Sequence, residues 1–297
     1  MTIHSEQAKG IALAAVGGLA LTSDIPLIRL SEGEAWSVLG VRSAVTFLAA
    51  ITIWLVWRAL TPKVPSLVPG LSGLAVATLY GFGSITFIAA VYSTSTANVV
   101  FILAFNPMFA ALLAWLFLGE RMRPATMLAM AAMIVGVVII VWDSIGTGNV
   151  FGDFMALSSA FFIASAITVT RASESEMGFT PLVGVLFPAI IAFAFVAEGG
   201  YRIDAPWWII LNGVIMMPLA FFCLGTAPRY IPGSEVAMFY LLETVLAPVW
   251  VWLIFSEQPT TNSLIGGAIL VVALVLHSLW QLLDGRRRRD MPQQLPL

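Results

Sequence analysis

A chain of 297 residues that is 60% hydrophobic and 10% charged, with a mean hydropathy of +0.96, is not built as a soluble domain, where about a quarter of residues carry charge. It reads as an integral membrane protein, and its net charge of −2 says less than the placement of its charges. One cysteine, Cys223, excludes an internal disulfide and a multi-cysteine metal site. His4 and His277 are too far apart to suggest a site, and no phosphate loop, zinc-type histidine pair or nucleophile elbow points to an enzyme, a cofactor, a metal or nucleic acid.

The first nine residues are a polar tail ending at Lys9, and residues 11–28 form the first apolar run. A lysine before an apolar run with small residues is also the pattern of a signal peptide. This run, however, has an internal counterpart: at an offset of 142, Gly10 meets Gly152, Ala14 meets Ala156, Arg29 meets Arg171 and Ser31 meets Ser173. A repeat unit is not expected to be cleaved away.

Span 2 is predicted from Ala35 to Leu60, ended by Thr61, Pro62, Lys63 and Pro65. Span 3 follows from Pro69 to Val91, span 4 from Ala97 to Leu118, and span 5 from Ala125 to Trp142 after a GERMRP cluster. Asp143 to Asp153, rich in Gly, Asn and Ser, is expected to be a loop joining two halves. Span 6 covers Phe154 to Thr170, span 7 Pro181 to Ala197 and span 8 Trp207 to Leu224. Span 9 runs from Gly233 to Glu257 and span 10 from Ser263 to Leu283, with a polar tail expected beyond. The domain plan is a first five-helix repeat over 1–147, a second over 148–284 and a basic tail over 285–297.

Span 9 is the centre of the pattern. Its run of about 23 residues can cross a hydrocarbon core of ~30 Å, and Glu243 sits at its middle. A carboxylate there is costly unless it is protonated, paired or facing water. At an offset of 137, span 4 lies beneath it: Val99 meets Val236, Ala110 meets Ala247, Trp115 meets Trp252, Glu120 meets Glu257, and Asn106 meets Glu243. Five spans per half is an odd number, so the second repeat enters from the opposite face. That is the inverted-repeat plan of many secondary transporters. The fold class expected is an all-α membrane protein of ten helices around a central cavity.

The basic residues orient the chain. If the N-terminus is cytoplasmic, Lys9, Arg58, Lys63, Arg121, Arg123, Arg171, Arg229 and Arg286 to Arg289 lie inside. Only Arg29, Arg42 and Arg202, of fourteen, lie toward the outside. The positive-inside rule then places both termini in the cytoplasm of an inner-membrane protein. Trp36, Trp142, Trp207 and Trp208 mark one interface, and Trp54, Trp57 and Trp280 the other.

The FIAAVYSTSTANVVFILAFNPMFAALLAWLFLGERMRP stretch and its echo APRYIPGSEVAMFYLLETVLAPVWVWLIFSEQPT resemble the drug/metabolite transporter superfamily, in its ten-helix EamA-type branch. The resemblance runs from about residue 10 to 283, and Leu118-Gly119-Glu120 is its more specific motif. The second repeat departs from the pattern: Ser256 replaces the glycine, and Thr244 stands where a proline often follows the glutamate. Pro248 comes four residues later, so a kink in span 9 is expected about one turn further on. The resemblance implies a secondary transporter with a cavity between the repeats, many members exporting amino acids or related metabolites and others moving drugs or nucleotide-like compounds.

Glu243 is read as a partner for a substrate amine or as a proton carrier; the plainer role is a neutral glutamate bonded to a neighbouring helix. Asn106, before Pro107, would contact substrate or cover carbonyls freed by a kink. Asp24 and Arg42 lie at similar depths on consecutive antiparallel spans, roughly 8–11 Å below the outer face, and are expected to pair. The pair is either structural, an outer gate, or an arginine fork for a substrate carboxylate. Tyr80, Phe101, Phe239 and Tyr240 share mid-membrane depth, and those facing the cavity would favour an apolar or aromatic substrate group. Glu235 and Asn98 are read as structural, Glu120 and Glu257 as helix ends pairing with bases such as Arg121, and His277 as a packing or interface residue. Arg286 to Arg289 are expected to meet anionic lipid. The partner expected is a small zwitterionic substrate, handled by a monomer in the lipid bilayer without cofactor.

Overall fold

Backbone N–H and C=O groups in a bilayer must be satisfied within the chain, which leaves helices as the form for these apolar runs. The computed structural model describes residues 3–61, 66–120, 124–173, 177–227, 230–231 and 233–290. Ten spans lie among the described residues. Span 1 is Ile3–Thr22 with Asp24–Leu30, span 2 Ala35–Leu60, span 3 Gly70–Ser93, span 4 Thr96–Leu103 with Asn106–Leu118, and span 5 Pro124–Thr147. Span 6 is Val150–Ser173, span 7 Thr180–Gly184 with Leu186–Gly199, and span 8 Pro206–Leu211, a π-helical Asn212–Met216 and Met217–Thr226. Span 9 is Gly233–Phe255 and span 10 Thr261–Asp290. An isolated antiparallel bridge joins Gly33 and Ile203.

The interrupted spans share a cause. A proline lacks the N–H that would bond four residues back, and its ring crowds that carbonyl, so the turn before it opens. Breaks at Ser23, at Ala104–Phe105 and at Val185 precede Pro26, Pro107 and Pro188, and the wide π turn precedes Pro218. Span 9 is one unbroken helix that runs through Pro248.

Two expected loops are mostly helix. Between spans 5 and 6 only Gly148 and Asn149 turn, Gly148 at φ 79°. The polar residues around that turn stay in helix because they bond across spans. Asp143 accepts from Thr260 at 2.5 Å and from Asn262 at 2.8 Å, and Asp153 accepts from Thr94 at 2.7 Å. Span 10 continues to Asp290, past the Leu283 where the tail was expected to start. The side chains of Glu235 and Arg286 to Arg289, and all of Lys63, Arg121, Arg123 and Arg229, lie outside the described residues.

With an even number of spans, both chain ends lie on one face. Side-chain bonds agree with the alternation: Glu120–Arg171 joins span ends on that face, and Glu34–Arg202 and Arg29–Glu257 join ends on the other. The packing is swapped between halves. Span 1 packs on spans 8 and 9, and its counterpart, span 6, packs on spans 3 and 4; spans 2 and 7 pair, as do 5 and 10. The halves are therefore interleaved rather than folded as separate bodies.

Small residues let the spans approach. A Cβ on Gly266 would stand 2.6 Å from the carbonyl oxygen of Gly136, and one on Gly136 would stand 2.7 Å from that of Gly266, so spans 5 and 10 cross backbone to backbone. The main buried apolar cluster includes Ile102, Met108, Met133, Ile140 and Leu270. Large apolar side chains such as Leu71, Leu128 and Trp142 point outward, exposed by 85%, 74% and 74%, as a lipid-facing surface requires.

Candidate functional site

The swapped packing leaves a cavity of about 940 Å³ at the centre, and every span contributes to its wall. One end is formed by Asp24 and Arg42, the other by Glu120, Arg171, His277 and Trp280 on the face that carries the chain ends.

The structure brings Asp24 and Arg42 together. Arg42 Nη2 donates to both oxygens of Asp24, at 3.1 and 2.9 Å, and both residues are buried. A third residue, Asn212, completes the group: its Nδ2 donates to Asp24 Oδ1 at 2.7 Å, and its Oδ1 accepts from Arg42 Nε at 3.2 Å. Asn212 starts the π turn of span 8, which adds a residue to the helix and rotates the face presented by the turns after it. A Cβ on the next residue, Gly213, would stand 2.9 Å from the carbonyl of Arg42, so this close approach seats Asn212 against the pair. Met217 Sδ lies 3.3 Å from Arg42 Nη2, and the guanidinium sits over the Phe87 ring, 5.6 Å from its centroid. Reading the sequence missed Asn212; Pro218 was the available signal that span 8 is irregular there.

Glu243 lines the cavity at mid-span, and among the described residues it makes no ion pair within 4 Å. Tyr240, one turn earlier on the same helix, and Tyr80 line the same wall. Asn106 lines it too, at the first residue of the second half of span 4. Pro107 and Pro248 release the carbonyls of Leu103 and Thr244, and both residues line the cavity.

Phe101 and Phe239 do not reach the cavity wall. Phe101 is 8% exposed and fills the space left by Gly267, where a Cβ would overlap its ring. Phe239 packs with Ala14, Leu224 and Val236 between spans 1, 8 and 9, and its carbonyl lies 2.6 Å from where Gly18 would carry a Cβ. Shared depth did not mean shared facing, because each ring lies against a neighbouring glycine-bearing helix.

His277, expected to be a packing or interface residue, lines the cavity. Its Nε2 lies 3.0 Å from the Thr126 hydroxyl, and its ring stacks on Trp280. Asn98 sits in a buried network, donating to Ser144 at 3.0 Å and Asp153 at 3.2 Å and accepting from Ser263 at 2.5 Å, which ties spans 4, 5, 6 and 10. Among the described residues no cluster of three His, Cys, Asp or Glu could hold a metal.

The sequence pattern of the EamA-like transporter family matches residues 8–142 and again residues 150–279. An uncharacterised transporter of Archaeoglobus fulgidus is 27% identical over 69% of this chain and 75% of its own. The pseudopaline exporter CntI of Pseudomonas aeruginosa is 24% identical over 57% and 61%, and a riboflavin transporter of Vibrio cholerae 23% over 63% and 63%. The chain thus spans less than two thirds of the length of these last two. A solved crystal structure shares the fold with a TM-score of 0.61 at 15% identity, over 94% of this chain and 99% of that one.

Proposed function

The chain belongs to the EamA-like transporter family, a multi-pass membrane transporter rather than an enzyme, and from that premise we propose that it exports amino acids or related small zwitterionic metabolites by alternating access. The observation that carries the reading is Glu243, a carboxylate without an ion partner among the described residues, in a mid-membrane cavity closed at one end by a bonded arginine. The carboxylate suits a substrate amine. Arg42 holds Asn212 and Asp24 through Nε and Nη2, which leaves Nη1 to receive a substrate carboxylate. Tyr80 and Tyr240 supply ring surface for an apolar or aromatic side chain.

The bias of basic residues toward the face of the chain ends supports cytoplasmic termini in the inner membrane. With that orientation the cavity meets the cytoplasmic side, where an exporter loads. A site walled by every span of one chain supports a monomer as the working unit.

A second reading, an organic cation or drug, or a nucleotide-like metabolite, is favoured by the occupied state of Arg42: if Asp24 satisfies it, Glu243 is left in the cavity without an ion partner among the described residues. Uptake by the purified protein in liposomes, with an aromatic amino acid set against its decarboxylated amine, decides between them. Preference for the amino acid supports the zwitterion site, and equal or better transport of the amine overturns it.

A further inference from the structure

Two ion pairs stand at the two faces, and the internal repeat maps one onto the other. Arg29 and Arg171 are repeat counterparts at an offset of 142, and Glu120 and Glu257 at 137. In the structure Arg29 of span 1 pairs with Glu257 after span 9, and Arg171 of span 6 pairs with Glu120 after span 4. Each bond crosses from one repeat to the other. Each glutamate follows a residue in the left-handed region, Gly119 at φ 69° and Ser256 at φ 55°, which ends the helix and turns the carboxylate toward its arginine.

The surroundings of the two pairs are not alike. Glu257 also accepts the N–H of Thr96 at 2.9 Å, and Arg29 Nη2 lies 3.5 Å from the carbonyls of Val91 and Thr94. That pair is about one-quarter exposed, at 24% and 25%, and takes no part in the cavity wall. Glu120 and Arg171 are half exposed, at 52% for Arg171 and 48% for Glu120, and stand in the wall at the cavity's other end. The cavity lining stops at Asp24 and Arg42, short of the sealed face where the Arg29–Glu257 pair is locked onto the start of span 4, and reaches the opposite face, where the Glu120–Arg171 pair, bonded at 2.6 Å, stands half exposed at the rim.

Resting on the transport reading above, we propose that these pairs are the two gate latches of the transport cycle. In the alternate state, with the cavity open to the other face, Arg171–Glu120 takes the locked form. Glu120 then accepts the N–H of Gly233, the repeat counterpart of Thr96, and Arg29–Glu257 becomes the exposed pair at the rim. Exchange of conformation between two inverted repeats requires this, because the same contacts must form on whichever face is closed.

The test places one reporter thiol in the cavity wall, Ala110→Cys in a Cys223→Ala background. An impermeant maleimide is then applied from either side of uniformly oriented vesicles. Arg29→Gln and Glu257→Gln each unlock the sealed face, and labelling from that face rises about fivefold relative to the other, the shift expected on losing one partly buried ion pair. Arg171→Gln and Glu120→Gln move the ratio the other way or leave it unchanged. Arg29→Lys, which keeps the positive charge beside Glu257 and leaves the Glu257 bond to the Thr96 N–H in place, holds the ratio near the parent value and shows that the charge pairing, not the fold, was altered in Arg29→Gln. An unchanged ratio in Arg29→Gln and Glu257→Gln, or a shift in the same direction from both pairs, overturns the proposal. The measurement uses no substrate, so a chain that shifts its ratio but moves none of the amino acids fails the transport assignment alone.

Discussion

Among the charged side chains in the membrane, Arg42, Asp24 and Glu243 are held in two different ways. Arg42 and Asp24 satisfy each other and Asn212, so their burial is tolerable only while all three remain. Removing one partner leaves a buried charge uncompensated, which costs roughly 3–5 kcal/mol. Asp24→Asn and Arg42→Gln should therefore each lower thermal stability strongly, and the double variant should recover most of the loss in a double-mutant cycle. If Arg42→Gln alone abolishes transport while Asp24→Asn does not, the guanidinium is a substrate fork rather than a structural partner. Glu243 makes no such ion pair among the described residues, so Glu243→Gln should leave stability nearly unchanged. Its effect belongs to binding: losing a charged hydrogen bond of about 1.5–3 kcal/mol should weaken substrate affinity by roughly ten- to a hundredfold. Wild-type affinity and wild-type gradient-driven uptake on the same purified variant would remove Glu243 from the site.

The helices show how composition becomes shape. Prolines at 26, 107, 188 and 218 lie just after breaks or a widened turn, and three of these put Asp24, Asn106 and Asn212 at or beside the irregular stretch. The polar groups sit where the backbone already leaves its ladder, since each opened turn exposes carbonyls that need polar company. Pro248 breaks nothing visible, but the carbonyl it frees belongs to Thr244, beside Glu243. Close packing is as local. At Gly266 an added methyl meets the backbone of Gly136, which cannot step aside, whereas at Gly146 it meets nothing within 4 Å. Gly266→Ala should therefore lower the melting temperature of the detergent-solubilised protein, while Gly146→Ala should hold or raise it slightly, by up to ~1 kcal/mol of helix propensity. Equal melting temperatures would mean that spans 5 and 10 do not cross as closely as the structure has them.

At the scale of the molecule, the two repeats are interleaved. Span 1 leans on the second half and span 6 on the first, so the cavity belongs to both repeats at once and neither half encloses a site alone. Under the proposed alternating access the repeats exchange roles, with the ion pairs at the two faces as the proposed latches. The charge bias predicts the orientation: the termini should be cytoplasmic and the turns at Asn149 and Pro259 outside. Single cysteines at those turns in a Cys223→Ala background should react with an impermeant reagent from the periplasmic side, and a cysteine at the C-terminal tail should not. The reverse pattern would invert the molecule and turn the cavity to the outside.

Hydropathy, an offset of 137 between spans 4 and 9 and the mid-span carboxylate were legible in the linear chain. Insertion depends on the length and apolarity of a segment, which are local properties. Span number, the alternation of direction, the repeat and the depth of Glu243, Asn106, Asp24 and Arg42 all follow from them. Helix rotation does not, because every side of these helices is apolar and no water-facing side marks the inside. That is why Phe101, at the right depth, turned out to pack against Gly267 and Phe239 against Ala14, Leu224 and Val236, while His277 turned inward. Asn212 was hidden for a related reason: its partners lie 170 and 188 residues away in sequence, and only the packing of span 8 on span 2 and the Asp24 end of span 1 brings them together. The pairing of Arg29 with Glu257 and of Arg171 with Glu120 was likewise a tertiary outcome. The repeat supplied equivalent residues, but their union across the halves required the swap of spans that the fold alone decides.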